Sequence, residues 1–286
     1  MSRRKTGFDE IGYWSEVKLE IVQKYAAAYS TILSKQAGLT HYYVDGFAGP
    51  GVHVSKSTGQ PVLGSPLNAL LVQPPFKRYF LVDLDSQCVS SLQKAIGERS
   101  DVVVLEGDCN EILLRDVFPQ IKYEQFRRAL CLLDPYGLHL NWEVMAAAGK
   151  LGTIDMFINF PIMDMNRNAL WSQADRARPE DQARMTAFWG DATWKDVVYK
   201  PSRQADLFGE IGIEKAPNQA VVDAFRHRLK EVAGFKNVPE PMPMRNSSNA
   251  VVYYLFFASK NATANRIISD IFKRYRDRGA VKDDDR

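Results

Sequence analysis

Tyr42-Tyr43-Val44-Asp45-Gly46-Phe47-Ala48-Gly49-Pro50-Gly51 passes from an apolar run through an acid into glycines. A short apolar run closed by a carboxylate and a glycine-rich turn is the pattern of a buried strand ending at a ligand. Glycines there let backbone approach bound atoms closely and leave N–H groups facing them. Four further apolar runs follow, Tyr79–Val82, Val102–Leu105, Ala129–Leu133 and Met156–Phe160. None alternates polar with apolar residues, which predicts parallel strands covered on both faces. Helical stretches over Pro66–Val72, Ser86–Ile96, Cys109–Val117 and Trp142–Lys150 separate them. Strand–helix alternation of this kind predicts a doubly wound α/β sheet.

The rest of the chain is arranged around that core. Trp14, Val17, Ile21, Tyr25, Ala28 and Ile32 recur at helical spacing, so residues 8–38 are expected to hold an amphipathic helix packed on the core. Residues 39–161 form the first part of the core. Residues 162–217 carry Trp171, Trp189 and Trp194 among Arg, Asp and Gln, and are expected to be a helical insertion. The core resumes over 218–275. It opens with a helix, Asn218–Gly234, whose Val221, Val222, Phe225 and Leu229 share one face. Val238–Met244 and Val251–Ala258 flank the polar turn Asn246-Ser247-Ser248-Asn249, which predicts a terminal antiparallel hairpin. A last helix is expected over Asn261–Tyr275, and a frayed tail over 276–286.

Composition removes several classes. With 286 residues, 45% hydrophobic and 25% charged, the chain buries a large core without staples, so a disordered chain, a disulfide scaffold and a collagen-like repeat are excluded. The balance of 37 Lys+Arg against 34 Asp+Glu gives +3, which permits an anionic partner without requiring one. Cys88, Cys109 and Cys131 contain no Cys-x-x-Cys pair and are expected to be buried free thiols in a reducing compartment. No apolar run reaches the roughly 18 residues of a membrane span. Met1-Ser2-Arg3-Arg4-Lys5 is basic but no apolar signal core follows. A cytoplasmic protein is expected, with its oligomeric state open.

The first loop can be tested against three ligand classes. Gly49-Pro50-Gly51-Val52-His53-Val54 lacks the third glycine of a dinucleotide fingerprint. Lys56-Ser57 has the ending of a phosphate-binding loop, but Pro50 and Ser55 hold its glycine positions. An S-adenosylmethionine loop asks for an acid at the strand end and a Gly-x-Gly turn, and Asp45, Gly46, Phe47, Gly49 and Gly51 supply them. A carboxylate at Asp45 can meet the ligand's ammonium directly or through water. Asp83, at the end of the second run, is the candidate for the ribose hydroxyls. It follows Asp45 by 38 residues, against roughly 20 in compact nucleotide-binding folds, and the 13-residue loop Val52–Gly64 accounts for the excess. That loop is expected to be mobile and to close over the ligand. Ser65 is expected to cap the next helix, with Pro66 at its first position, and Asp85 to cap the one after Asp83.

Asp108 at the third strand end can accept from an adenine amino group, while the N–H of Cys109 meets a ring nitrogen. Asp108 is equally suited to cap the helix that follows, and one carboxylate can do both. The fourth run ends Asp134-Pro135-Tyr136-Gly137-Leu138-His139. An aromatic amine is a poor nucleophile because its lone pair is conjugated into the ring. A carboxylate and the Pro135 carbonyl can each accept one amino hydrogen and turn that lone pair outward, while Tyr136 stacks on the base. His139 is a weak general-base candidate, and Asn159, in Asn159-Phe160-Pro161, lies at the same rim. No metal is needed for such a transfer, since a sulfonium already carries an activated methyl group.

These strand ends, in order, resemble a Rossmann-like class I S-adenosylmethionine-dependent methyltransferase. Asp134-Pro135-Tyr136-Gly137 is similar to the Asp-Pro-Pro-Tyr signature of base-amino methyltransferases, with one proline missing, and to the Asp-Pro-Phe-Gly form of some tRNA guanine methyltransferases. More narrowly, the chain resembles the three-Cys-motif partner protein (TcmP) family. The likeness runs through Trp14-Ser15-Glu16-Val17-Lys18-Leu19, Tyr43–Gly51, Gly64–Leu70, Asp134–Leu140, Asn159-Phe160-Pro161 and Tyr254–Lys260. It implies a mostly parallel sheet with a C-terminal antiparallel hairpin, and S-adenosylmethionine as cofactor. It also implies a partner carrying a three-cysteine motif, similar to a radical-S-adenosylmethionine or iron–sulfur protein. Two functions follow: methyl transfer to an amino group of a nucleic-acid base, or a non-catalytic subunit of that partner.

Overall fold

The five apolar runs all lie in one seven-stranded sheet, and each of its central strands is sandwiched between two helical layers. The structure, a computed structural model, describes residues 10–171, 177–205, 211–246 and 248–281. In chain order the elements are β1 (Glu10–Ile11), α1 (Tyr13–Leu33), β2 (Thr40–Asp45), β3 (Val52–Ser55), β4 (Pro61–Leu63), α2 (Ser65–Leu70), β5 (Arg78–Asp83), α3 (Ser86–Ile96), β6 (Val102–Glu106) and α4 (Cys109–Ile112). They continue with β7 (Arg127–Leu133), α5 (Trp142–Leu151), β8 (Ile154–Phe160), α6 (Ile162–Asn168), α7 (Pro179–Trp189), α8 (Trp194–Val198), β9 (Tyr199–Ala205), β10 (Ile211–Lys215), α9 (Asn218–Glu231), β11 (Met242–Arg245), β12 (Val251–Ala258) and α10 (Ala262–Val281).

The strand order is β11-β12-β8-β7-β2-β5-β6. β2, β5, β6, β7 and β8 pair in parallel, whereas β12 runs antiparallel to both β8 and β11. A parallel sheet with one reversed strand next to its last is the Rossmann-like class I methyltransferase fold. Alternation along each strand explains the unbroken apolar runs. In β2, Tyr42 and Val44 face the layer of α5 and α9, while Tyr43 faces α1 and α10. Each fully buried Leu or Val on either face contributes roughly 1.5–3 kcal/mol.

Four expectations need correction. The loop Val52–Gly64 is a β-hairpin, β3 against β4, and β3 also pairs in parallel with β1. The Ser55 hydroxyl donates to Glu16 at 2.6 Å, so the hairpin is tied to α1. The segment 162–217 holds α6, α7 and α8 but also an antiparallel ribbon, β9 with β10. On α1 the buried face runs through Val17, Lys18, Ile21, Val22, Tyr25, Ala26, Tyr29 and Leu33, leaving Ile32 exposed. A helix of 21 residues turns its stripe away from a strict 3–4–4 reading toward its end. Finally, α10 runs on to Val281 through half of the expected tail, and residues 282–286 lie outside the described residues. No helix among the described residues is long and apolar enough to cross a membrane.

Candidate functional site at the strand ends

The sheet reverses its order of growth between β2 and β7, and ligands in open α/β folds sit outside the carboxyl ends of strands at such a point. Asp45 ends β2 there, fully buried. Its Oδ1 accepts from the Phe47 N–H at 3.2 Å, and the Tyr43 and Ser65 hydroxyls also donate to the carboxylate. Burial, reinforced by the neighbouring Asp134 and Asp83 carboxylates, pushes the Asp45 carboxyl up to about 7, against the Ser65 and Phe47 hydrogen bonds. Ser65 therefore serves Asp45, and the cap of α2 is Gly64, whose side of the helix start makes no side-chain cap.

The glycine turn is held from both sides. Gly46 N–H donates to Leu132 O and Ala48 N–H to Val82 O, each at 2.9 Å, which stitches the loop to β7 and β5. Gly49 N–H donates to Asp83 Oδ2 at 2.7 Å, and Asp85 N–H to Asp83 Oδ1 at 2.9 Å. Asp83 thus links the two loops that a nucleoside would touch. Gly49 and Gly51 have φ +64° and +86°, and a Cβ on Gly51 would stand 2.8 Å from Leu92 Cδ1. Both positions require glycine. Leu84, between Asp83 and Asp85, is 75% exposed, which marks apolar surface beside the ribose candidate.

Two expected cofactor residues, Asp108 and Cys109, also have structural parts. Asp108 caps α4, accepting from Asn110 N–H and Asn110 Nδ2, each at 2.8 Å. Its carboxylate stays exposed at the β6 end. The Cys109 thiol packs into the core beside Gly46, and burial raises its pKa far above that of a free thiol. Asp85 caps α3 as expected, and all three cysteines are free and buried.

The cluster around Asp134 has a member that sequence reasoning missed. Lys18, on α1 and only 7% exposed, forms an ion pair with Asp134 Oδ2. Burial acts to lower its pKa, but the Asp134 carboxylate outweighs that and holds the ammonium firmly charged. The ammonium also lies 5.3 Å from the centre of the Tyr253 ring, whose hydroxyl donates to Trp14 O at 3.4 Å. Asn159, at the end of β8, donates from Nδ2 to Asp134 Oδ1 at 2.7 Å. Its own Oδ1 is buried with no hydrogen-bond partner. Pro135 is buried, and Tyr136 projects at 72% exposure. Gly137, at φ +65°, lets the turn approach Asp164 of α6, whose Oδ2 would lie 2.8 Å from a Cβ there.

His139 does not join this group. Its ring is exposed and hydrogen-bonds to no described residue, while its carbonyl accepts from Asn110 Nδ2 at 3.0 Å. Asn110 Oδ1 accepts from Asn141 N–H at 2.7 Å, so Asn110 clamps the loop after β6 to the loop after β7. Lys18 lies in the Trp14–Leu19 stretch of the family likeness, and its place on the helix was a further signal. It stands four residues after Trp14, three before Ile21 and seven before Tyr25, on the apolar stripe of an amphipathic helix. No group of three or more His, Cys, Asp or Glu suited to a metal ion occurs among the described residues.

No family model matches the chain, and no curated protein does. Among solved structures it is similar to a protein from Legionella pneumophila str. Philadelphia 1 described by the family model DUF519. The TM-score is 0.54 at 13% identity, over 92% of this chain and 91% of that one. It is also similar to human methyltransferase 10 domain containing protein, at TM-score 0.41 and 8% identity over 84% of this chain and 83% of that one. A third is Aeropyrum pernix fibrillarin in complex with natively bound S-adenosyl-L-methionine, at TM-score 0.36 and 11% identity over 83% of this chain and 76% of that one. The likeness to the Legionella protein supports the fold at nearly full length.

Proposed function

We propose that the chain binds S-adenosylmethionine and transfers its methyl group to an amino group of a nucleic-acid base, working with a partner that carries a three-cysteine motif. The observation that carries this reading is electrostatic. Asp45, Asp83 and Asp134 converge closely enough for the last two to raise the pKa of the first, and of the three only Asp134 has a cationic side chain against it among the described residues. Such a site suits a ligand carrying positive charge beside a ribose. The residues present fit the cofactor. Asp45 and the Phe47–Gly51 backbone would hold its methionine part, Asp83 the ribose, and Asp108 with the Cys109 N–H its base, beside exposed Leu84. When bound, the cofactor supplies an activated methyl group on sulfur.

The chain's own part is orientation. Asp134 and the Pro135 carbonyl would accept the amino hydrogens of the base, Tyr136 would stack on it, and Asn159 holds Asp134 in place. A nucleic-acid base and the three-cysteine partner rest on the resemblances of the Asp134–Gly137 turn and of the chain as a whole. The free, buried thiols suit a reducing cytoplasm. Calorimetry with S-adenosylmethionine tests the cofactor, and absence of binding ends this reading. Copurification with the three-cysteine-motif partner, followed by mass spectrometry of bound nucleic acid, tests the acceptor and the partner.

A second reading, a non-catalytic subunit of the three-cysteine protein, is favoured by Lys18, because the carboxylate meant for an acceptor already holds an ammonium. Methyl transfer by the isolated chain separates the two.

A further inference from the structure

The end of the sheet opposite the cofactor candidates carries a basic surface. β2, β5 and β7 begin there at Thr40, Arg78 and Arg127. At roughly 3.3 Å per residue that edge lies about 17 Å from Asp45. The register sets Arg127 beside Thr40, Arg128 beside His41 and Arg78 beside Tyr42. The stretches Lys77–Arg78 and Lys122–Arg128 together hold five cations against one acid, Glu124. Asp101, just before β6, is already engaged by Arg99 through hydrogen bonds of 3.0 and 2.7 Å. Two aromatic rings stand out from this edge, Tyr123 at 63% exposure and Phe126 at 61%. The Arg128 guanidinium lies 4.4 Å from the centre of the Tyr123 ring, and its Nη1 donates to Arg127 O at 2.8 Å. Phe126 has φ +53°, a left-handed conformation that bulky side chains rarely adopt. Its neighbours hold it there: Phe126 N–H donates to Tyr123 O and Thr40 N–H to Phe126 O, each at 2.9 Å. Core packing does not account for a strained residue whose ring stands mostly in water, and strain of this kind collects where ligands are met.

We propose that this edge binds single-stranded nucleic acid, with Lys77, Arg78 and Lys122 on phosphates and Tyr123 and Phe126 stacked on unpaired bases. Cations interleaved with exposed rings match a chain that presents negative charge and flat π-faces in turn. An acidic protein segment would use the cations and leave both rings without partners. A duplex keeps its bases stacked inside and offers the rings nothing. The inference does not depend on the methyl-transfer reading, because the edge shares no residue with the strand ends around Asp45 and Asp134.

The test is fluorescence anisotropy of a labelled single-stranded oligouridine with the whole chain, without cofactor, at low and raised salt. The wild type should bind it, and more weakly as salt rises. Arg78→Ser and Lys122→Ser should each weaken binding and lower the salt slope by about one. Tyr123→Ala and Phe126→Gly should each weaken it about fivefold or more. Phe126→Gly should do so without lowering the thermal unfolding midpoint, since glycine adopts that φ freely. Polyglutamate of equal charge should compete poorly against unlabelled oligouridine. Absence of binding to the wild type overturns the inference, as does equal competition by polyglutamate. Binding unchanged by Tyr123→Ala and Phe126→Gly overturns it too, and if Tyr136→Ala abolishes that binding, the strand enters at the Asp134 turn alone. Calorimetry with S-adenosylmethionine decides the methyl-transfer reading separately.

Discussion

The cofactor side and the acceptor side of the same sheet edge are built in opposite ways. On the cofactor side, Asp45 and Asp83 are bound mainly by backbone N–H groups and hydroxyls of their own or adjacent loops. No cationic side chain among the described residues pairs with either, and the strain of burial falls on Asp45. On the acceptor side, Asp134 is neutralised by Lys18 from a helix 116 residues earlier in the chain and steadied by Asn159 from the next strand. One half is a negative cradle awaiting positive charge. The other is a balanced cluster whose open bonds point to a neutral, hydrogen-bonding ligand.

The contrast can be broken most directly by pH. The Asp45 carboxyl holds its proton up to about pH 7 in the fold, while an unfolded Asp releases it near 3.9. The folded chain therefore binds a proton that the unfolded chain has lost, and stability is full below about pH 4 and falls as pH rises through 7. At ~1.36 kcal/mol per pKa unit, the loss is on the order of 4 kcal/mol. Burial also raises Asp155, to about 6, so the wild-type slope has two contributors of the same sign. Asp45→Asn should flatten the steeper part in urea unfolding at pH 5 and pH 8. A slope unchanged by Asp45→Asn would show that the cradle is not strained. S-adenosylmethionine should stabilise the chain more at pH 8 than at pH 5, because its ammonium favours ionised Asp45.

The acceptor side should break through its ion pair. Asp134→Ala leaves Lys18 buried without a counter-ion, and such removals destabilise by about 3 kcal/mol. The double change Lys18→Met with Asp134→Leu removes both charges and should recover most of that loss. A single Asp134→Ala variant as stable as wild type would mean that Lys18 finds solvent instead, and the cluster would be loose. Because Asp134→Ala acts on stability, turnover comparisons should use Asp134→Asn, which keeps the shape.

How much of each half was legible follows from where its contacts lie in the chain. The apolar runs that became β2, β5, β6, β7 and β8 announced themselves, because both faces of those strands are buried. Asp45, the glycines and Asp83 were readable as a local pattern of strand, turn and strand. The hairpin β3–β4 was not, since its residues are mostly half-exposed and the alternation Val52-His53-Val54-Ser55 is only four residues long. Its pairing with β1 and its bond to Glu16 are long-range facts. Lys18 was hidden for a different reason. A lysine on an amphipathic helix is ordinarily at the solvent edge, and only the fold reveals a carboxylate waiting over the apolar stripe. The ribbon β9–β10 was lost among polar residues that composition alone assigns to helix.

On the cofactor side, the expected effect of a single carboxylate is smaller and specific to the ligand. Asp83→Ala removes the acceptor for Gly49 N–H and for a ribose hydroxyl, and hydrogen bonds to a charged group are each worth ~1.5–3 kcal/mol. S-adenosylmethionine affinity should fall roughly tenfold or more by calorimetry, with the Lys18–Asp134 pair's contribution to unfolding stability unmoved. Loss of both together would show that the halves are coupled through the Gly49 loop.

The smallest effect belongs to Tyr136, and it sharpens the comparison because it separates fold from ligand. At 72% exposure its ring contributes little to the core, so Tyr136→Ala should change unfolding stability by no more than ~0.5 kcal/mol. Stacking a base on an aromatic ring is worth ~1–3 kcal/mol, so the same change should weaken AMP or CMP binding to the S-adenosylhomocysteine-loaded chain by fivefold or more. Tyr136→Phe keeps the ring and should bind almost as the wild type does. If both substitutions weaken binding equally, the hydroxyl makes the contact and the ring does not stack. If neither weakens it, the base does not stack on Tyr136 and the role given to that ring is wrong.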